Sequence, residues 1–271
     1  MTRPSRSETG ATVALLLLAV GASGLGLFRD GHYVESGFEL LRLQAQDAVV
    51  LVLGVPVLAV GLRLASRGSL RGRLIWLGSL AFMAYMWTHY AFVVSYNDFF
   101  LGYVALFALS VFTLLSGVVR TDANRIYESL HGEISTRLYV GFLGVAAAGL
   151  TFMWLFDIVP ALLVGELPSG IAQLGPEAAH TYVIDLGILV PSLAITTFWL
   201  HSSRPWGYVC AGVLLVFVAL VAPTLTAITV VDLQEGIGIS IPILIGTIVP
   251  PLVGLFLAGT YLRGLSEDFT R

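Results

Sequence analysis

The chain contains no lysine: all 14 of its cationic residues are arginine. That excludes a lysine Schiff base to retinal or pyridoxal phosphate, and the lysine of a phosphate-binding loop. Cys210 is the only cysteine, which excludes an internal disulfide, a CxxC redox pair and a multi-thiolate metal site. Charge is scarce too, at 11% of residues against about 25% in a soluble globular protein. HExxH, GxSxG and a GxGxxG following a strand are missing, and the five histidines show no HxxxH spacing. No motif calls for a cofactor or a metal. Outside the short arginine-bearing turns there is no basic patch to bind nucleic acid.

What fills the chain is apolar. Hydrophobic residues make up 57% of it, and the mean hydropathy is +0.89. Eight apolar stretches run at roughly 11–28, 47–65, 74–95, 99–119, 138–157, 180–201, 207–230 and 239–262. Each can cross about 30 Å of hydrocarbon as a helix. The expected fold is an all-α polytopic transmembrane bundle of eight spans, a single membrane domain with the lipid bilayer as its partner.

Arginine placement sets the expected orientation. With the N-terminus in the cytoplasm, inner segments hold 12 arginines and outer segments only Arg29 and Arg42. The 62–73 turn alone carries four arginines and no acid. Both termini are then cytoplasmic, in a cell (plasma) membrane. Arg3 and Arg6, followed by the apolar run 14–20 and by Gly21, Ala22 and Ser23, also have the make-up of a signal peptide, whose cleavage would leave seven helices.

The chain carries a weak internal echo. Pro56-Val57-Leu58-Ala59 resembles Pro191-Ser192-Leu193-Ala194, and Val20-Gly21-Ala22-Ser23-Gly24-Leu25 resembles Val145-Ala146-Ala147-Ala148-Gly149-Leu150. A four-plus-four parallel duplication, with halves 11–119 and 138–262, accounts for both pairs. Of the connections, 29–46 suits a short helix at the outer surface, and 158–179 reads as irregular. Residues 120–137 suit either a solvated connector or an amphipathic interfacial helix with Ile126, Tyr127 and Leu130.

Polar groups within lipid are costly and ask for a reason. Asp185 is the one carboxylate clearly inside a span. His89 lies in the outer third of the third span, with Tyr85 one turn earlier and Tyr96 two turns later, so the three share one face. Thr224, Thr226 and Thr229 lie in the outer part of the seventh. Asp185, His89, Tyr85, Tyr96 and Thr226 therefore form the candidate binding set, a polar pocket open to the outside for a small-molecule ligand. Asp47 and Asp157 fall at outer boundaries, where headgroups accommodate them. Pro250-Pro251 would free carbonyls around Gly246 and Thr247, as in the broken helices of some transporters.

The segments Trp154-Leu155-Phe156-Asp157-Ile158-Val159-Pro160, Tyr182-Val183-Ile184-Asp185-Leu186-Gly187 and Asn97-Asp98-Phe99-Phe100-Leu101-Gly102-Tyr103 resemble those of uncharacterised prokaryotic multi-pass membrane proteins. The resemblance implies the architecture alone. Three functional classes follow from the residues: a small-solute carrier, a non-transporting sensor or accessory subunit, and an intramembrane enzyme using Asp185 and His89 as acid and base.

Overall fold

The computed structural model describes residues 3–236 and 241–265, with side chains for all of these except 174, 177, 241–247, 250 and 251. Every regular element among the described residues is helical. In chain order these are α1 (Arg6–Phe28), α2 (Gly37–Val49), α3 (Val55–Ser66), α4 (Leu70–Phe92), α5 (Phe100–Val119) and α6 (Ala123–Leu130). Then come α7 (Thr136–Val164), α8 (Ser169–Leu174), α9 (Ala179–Ile184), α10 (Val190–His201), α11 (Pro205–Gln234) and α12 (Ile241–Gly264).

Six helical rods are long and apolar enough to cross a membrane: Arg6–Phe28, Gly37–Ser66, Phe100–Val119, Thr136–Val164, Ala179–His201 and Pro205–Gln234. This is a multi-pass membrane protein by the length and composition of its helices. Of the eight expected spans, two fall outside the six. α4 has the length, but Trp76, Tyr85, Trp87, His89 and Tyr90 lower its hydropathy. The structure shows why it tolerates them. Fourteen of its 23 residues are buried, so protein rather than lipid surrounds much of it. α12 has described side chains mainly over Leu252–Gly264, a shorter apolar helix. The expected break at Pro250-Pro251, with Gly246 and Thr247, lies outside the residues whose side chains are described.

Two rods are interrupted. α2 passes into α3 through a five-residue π turn, Val50–Gly54, where the Val55 N–H donates to the Val50 carbonyl. α9 passes into α10 through a second, Asp185–Leu189, where the Val190 N–H donates to the Asp185 carbonyl. The cause is local. Pro56 and Pro191 follow two residues after each turn, and a proline has no N–H to bond the carbonyl four residues back and collides with it in α geometry. The extra residue of a π turn opens the coil there.

The chain forms two compact units. The first comprises Met1–Glu133 and Gly212–Arg271, the second Ile134–Ala211. In the first, α4 packs against α3 and α5, and α1 against α5, α2 and α3. α1 opens with a capping box: the Glu8 N–H donates to Ser5 Oγ at 3.2 Å, and the Ser5 N–H donates to Glu8 Oε2 at 2.6 Å. In the second unit α7 packs against α10.

The connections differ from expectation in one direction, toward more helix. Residues 37–49 extend the second rod instead of forming a separate surface helix. α7 continues through Pro160 to Val164, and Gly165 ends it in a left-handed conformation at φ 76°. α6 is a helix rather than a solvated connector. Asp122 caps it, and Ala123, Ile126 and Leu130 form its buried stripe.

Candidate functional site

The second rod carries a buried stripe: Leu43, Asp47, Val50, Gly54 and Leu58 recur at helical spacing. Asp47 is the exception to its chemistry, a carboxylate with 0% exposure. The connection between α1 and α2 folds back so that Tyr33 donates its hydroxyl to Asp47 Oδ2 at 2.5 Å. From α4, the Tyr90 hydroxyl donates to Asp47 Oδ1 at 3.1 Å. Both oxygens thus have a phenolic donor, and 2.5 Å is at the short, charge-assisted end of the O–H···O range. A site this tight requires space on α1. Gly26 supplies it, because a Cβ there would collide with the Asp47 carboxylate and would lie 2.5 Å from the Tyr33 hydroxyl.

An aromatic shell closes around the pair. His32 Nε2 lies 2.9 Å from the Tyr103 hydroxyl, and the His32 ring meets Tyr33 edge-on at 4.9 Å. Trp87 lies against Tyr90 and stacks on Tyr103. His32, Tyr90, Tyr103 and Trp87 are all buried. Burial holds the Tyr33 phenol far above its usual pKa, with Tyr90 and Asp47 adding to the effect, so it remains a hydroxyl donor. Burial likewise holds the His32 imidazole below its usual pKa; Asp98 opposes this and Arg29 reinforces it. The cation nearest to Asp47 along its own helix, Arg42, is committed elsewhere. Its guanidinium makes a two-pronged pair with Asp232, at 2.5 and 2.7 Å.

A second polar network sits at the other end of the same helices. Arg73 of α4 is fully buried. It donates to the Gly117 carbonyl at 2.5 Å and to Thr121 Oγ1 at 3.0 Å, and lies 4.7 Å over the Trp76 ring. Glu8 of α1 accepts from the Ser116 hydroxyl at 2.7 Å and lies 3.7 Å from Arg120. No group of three or more metal-ligating side chains occurs among the described residues.

The residues singled out from sequence are distributed as follows. Asp185 belongs to the second unit, is 5% exposed, and opens the π turn of its rod. The Trp154 indole donates to it at 3.0 Å. Tyr85, His89, Tyr96 and Thr226 belong to the first unit. Tyr85 meets Phe217 edge-on, His89 meets the Tyr90 ring, and Thr226 donates back to the Ala222 carbonyl within its own helix. Tyr96 does not share their face. α4 ends at Phe92, and Tyr96 stands beyond it, 80% exposed and beside Phe100. Asp157, expected among headgroups, accepts from the Tyr182 hydroxyl at 2.7 Å and from the Ser169 N–H at 2.9 Å.

Asp47, Tyr33 and His32 stand outside the binding set that the sequence suggests. A signal for the first is present in the sequence: Asp47 continues the apolar stripe of Leu43 and Val50 at helical spacing, which puts it on a core face. Comparison with protein-family models, curated proteins and solved structures found no match to this chain.

Proposed function

We propose that the protein is a small-solute carrier of the cell membrane, with eight spans, both termini cytoplasmic and a four-plus-four parallel repeat. One observation carries the reading: two rods, Gly37–Ser66 and Ala179–His201, share one interruption. In each, a five-residue π turn stands two residues before a proline. In each, a buried carboxylate lies at or just before the turn, Asp47 in one and Asp185 in the other. Interrupted helices in corresponding halves, with ionisable groups at the break, are how many carriers build sites at membrane depth. Single π turns inside α-helices also stand frequently at functional sites.

On this reading Asp185 is the solute-binding carboxylate, fixed by Trp154. His89, Tyr85 and Thr226, in the first unit, are secondary candidates taken by themselves, and Tyr96 is a surface residue. The test is a thermal-shift screen of the purified chain against amino acids, sugars, polyamines and small carboxylates, followed by uptake of any hit into proteoliposomes. Saturable uptake that is lost in Asp185→Asn, with the fold retained, supports the carrier. Uptake unchanged in that variant removes Asp185 from the site.

A second reading, an accessory subunit of a membrane complex, draws on α7. Only Tyr139, Leu143 and Ala147 of its 29 residues are buried. Stoichiometric co-purification of a partner that covers α7 would favour it.

A further inference from the structure

We propose that Asp47, with Tyr33 and Tyr90, is a binding site for a single proton. The proton site stands on its own geometry; its use as the coupling site of transport rests on the carrier reading.

Three features lead to it. First, the carboxylate is fully buried and its hydrogen-bond partners are neutral hydroxyls. A carboxylate inside a membrane protein without a paired cation is costly, and it is retained where it takes up and gives back charge. Second, the side facing α1 is closed. Tyr33 and the Asp47 carboxylate occupy the volume that a Gly26 side chain would take, so nothing enters between the carboxylate and that helix. The two phenolic hydroxyls point their hydrogens at the carboxylate, which is the wrong polarity for a metal ligand shell. Third, the partners belong to three segments. Tyr33 comes from the α1–α2 connection, Asp47 from α2 and Tyr90 from α4, and the Val50–Gly54 π turn begins three residues beyond Asp47. A change of register at that turn carries the carboxylate relative to both donors.

Among the described residues, the other groups packed around Asp47 bring it no cation. From α1 the Ser23 hydroxyl faces it. From α4 there are Tyr90 and the Trp87 indole beside it, from α5 Tyr103, and from the connection Tyr33 with His32 behind it. On the rod itself, Arg42 is paired with Asp232. The two phenolic hydrogen bonds favour the ionised form of Asp47, and its burial opposes it. When a donor is withdrawn, the carboxylate takes one proton from hydronium of the aqueous phase: an O–H bond forms on Asp47 as one breaks on hydronium, leaving a neutral carboxyl and a water molecule. Proton binding and helix geometry are thereby linked.

The test is an infrared pH titration of the full chain in lipid nanodiscs, following the carbonyl stretch of protonated carboxyl groups in wild type, Asp47→Asn, Tyr90→Phe and Tyr33→Phe. The expected result is a titrating band in wild type that is missing in Asp47→Asn. Either phenylalanine variant should raise proton affinity about tenfold, moving the midpoint up by about one pH unit, because each removes a donor to the ionised form. If Asp47→Asn fails to fold, the two phenylalanine shifts decide. A band that persists unchanged in Asp47→Asn, or midpoints unmoved by both phenylalanine variants, overturns the proposal. So does a midpoint that follows sodium concentration at constant ionic strength, which would make the ligand a metal cation. None of these outcomes depends on finding a transported solute.

Discussion

Pro56 and Pro191 occupy the same place in two interrupted helices, each two residues past the end of a five-residue π turn. The spacing between the two turns equals the spacing between the two prolines. Proline is the local cause in both, so removing it has a defined consequence. Pro56→Ala and Pro191→Ala each restore an N–H and remove the ring's clash with the carbonyl four residues earlier. Each is expected to shift stability by no more than about 1 kcal/mol, and both in the same direction. Thermal unfolding of the two variants in one detergent checks this. Opposite signs would show that the turns are built differently and would weaken the repeat.

Gly26 is the position where the Asp47 site is most sensitive to a minimal change. Gly26→Ala forces a methyl group into Asp47 and Tyr33 and is expected to destabilise the protein by about 1–3 kcal/mol. Gly21 lies on the same helix, and a methyl group there would meet nothing within 4 Å. Gly21→Ala should therefore be neutral, or stabilising by about 0.5–1 kcal/mol through helix propensity. Unfolding midpoints of the pair, measured side by side, separate crowding from propensity. Equal midpoints would mean that the Asp47 site has slack.

Tyr90→Phe removes the donor to Asp47 Oδ1 without changing shape. The buried carboxylate loses one of its two phenolic partners, for which the expected loss is about 1–3 kcal/mol. Thermal unfolding at neutral pH measures it. Retention of full stability would indicate that the hydroxyl contributes nothing beyond packing.

The helices were legible because apolar runs bounded by arginine turns have few alternatives in lipid. The helix ends around Asp47 and Tyr96 were not. A second rod that begins at 47 puts Asp47 at a membrane boundary, whereas Gly37–Val49 carries the helix well upstream of it. Gln44, Gln46 and Arg42 make that stretch too polar for a hydropathy reading, and tertiary partners, Asp232 among them, satisfy Arg42 and Gln44 instead. The opposite error occurs at Tyr96. The aromatic run through Phe92 suggests helix, but the Ser95-Tyr96-Asn97-Asp98 turn residues stop it. Pairings such as Tyr33 with Asp47 depend on how a connection folds back, which no periodicity encodes.

Arg73 tests the other polar network. Its guanidinium serves two acceptors and lies over Trp76, with Glu8 supplying opposite charge. Arg73→Met is expected to destabilise by roughly 3 kcal/mol, the order found when one member of a buried charged network is removed. Arg73→Lys should recover little, since an ammonium lacks the planar fork and the stacking face. Full recovery by lysine, seen as an unchanged unfolding midpoint, would reduce the role of Arg73 to charge alone.

His32 gives the structure a defined response to acid. Its ring is 2% exposed, and burial is the main cause holding its pKa below the ordinary value of 6.5. As pH falls below about 6.5 the unfolded chain binds a proton at this position while the folded chain does not. The stabilising contribution is therefore complete above that pH and is lost progressively as pH falls toward the folded-state value. The slope is at most about 1.4 kcal/mol for each pH unit. His32→Gln should flatten this part of the stability profile between about pH 5 and 7 while leaving the neutral-pH value lower by no more than the bond to Tyr103, about 1 kcal/mol. Unfolding midpoints of both proteins across that range measure the difference. A profile that keeps its wild-type slope in the variant would assign the acid response to another group.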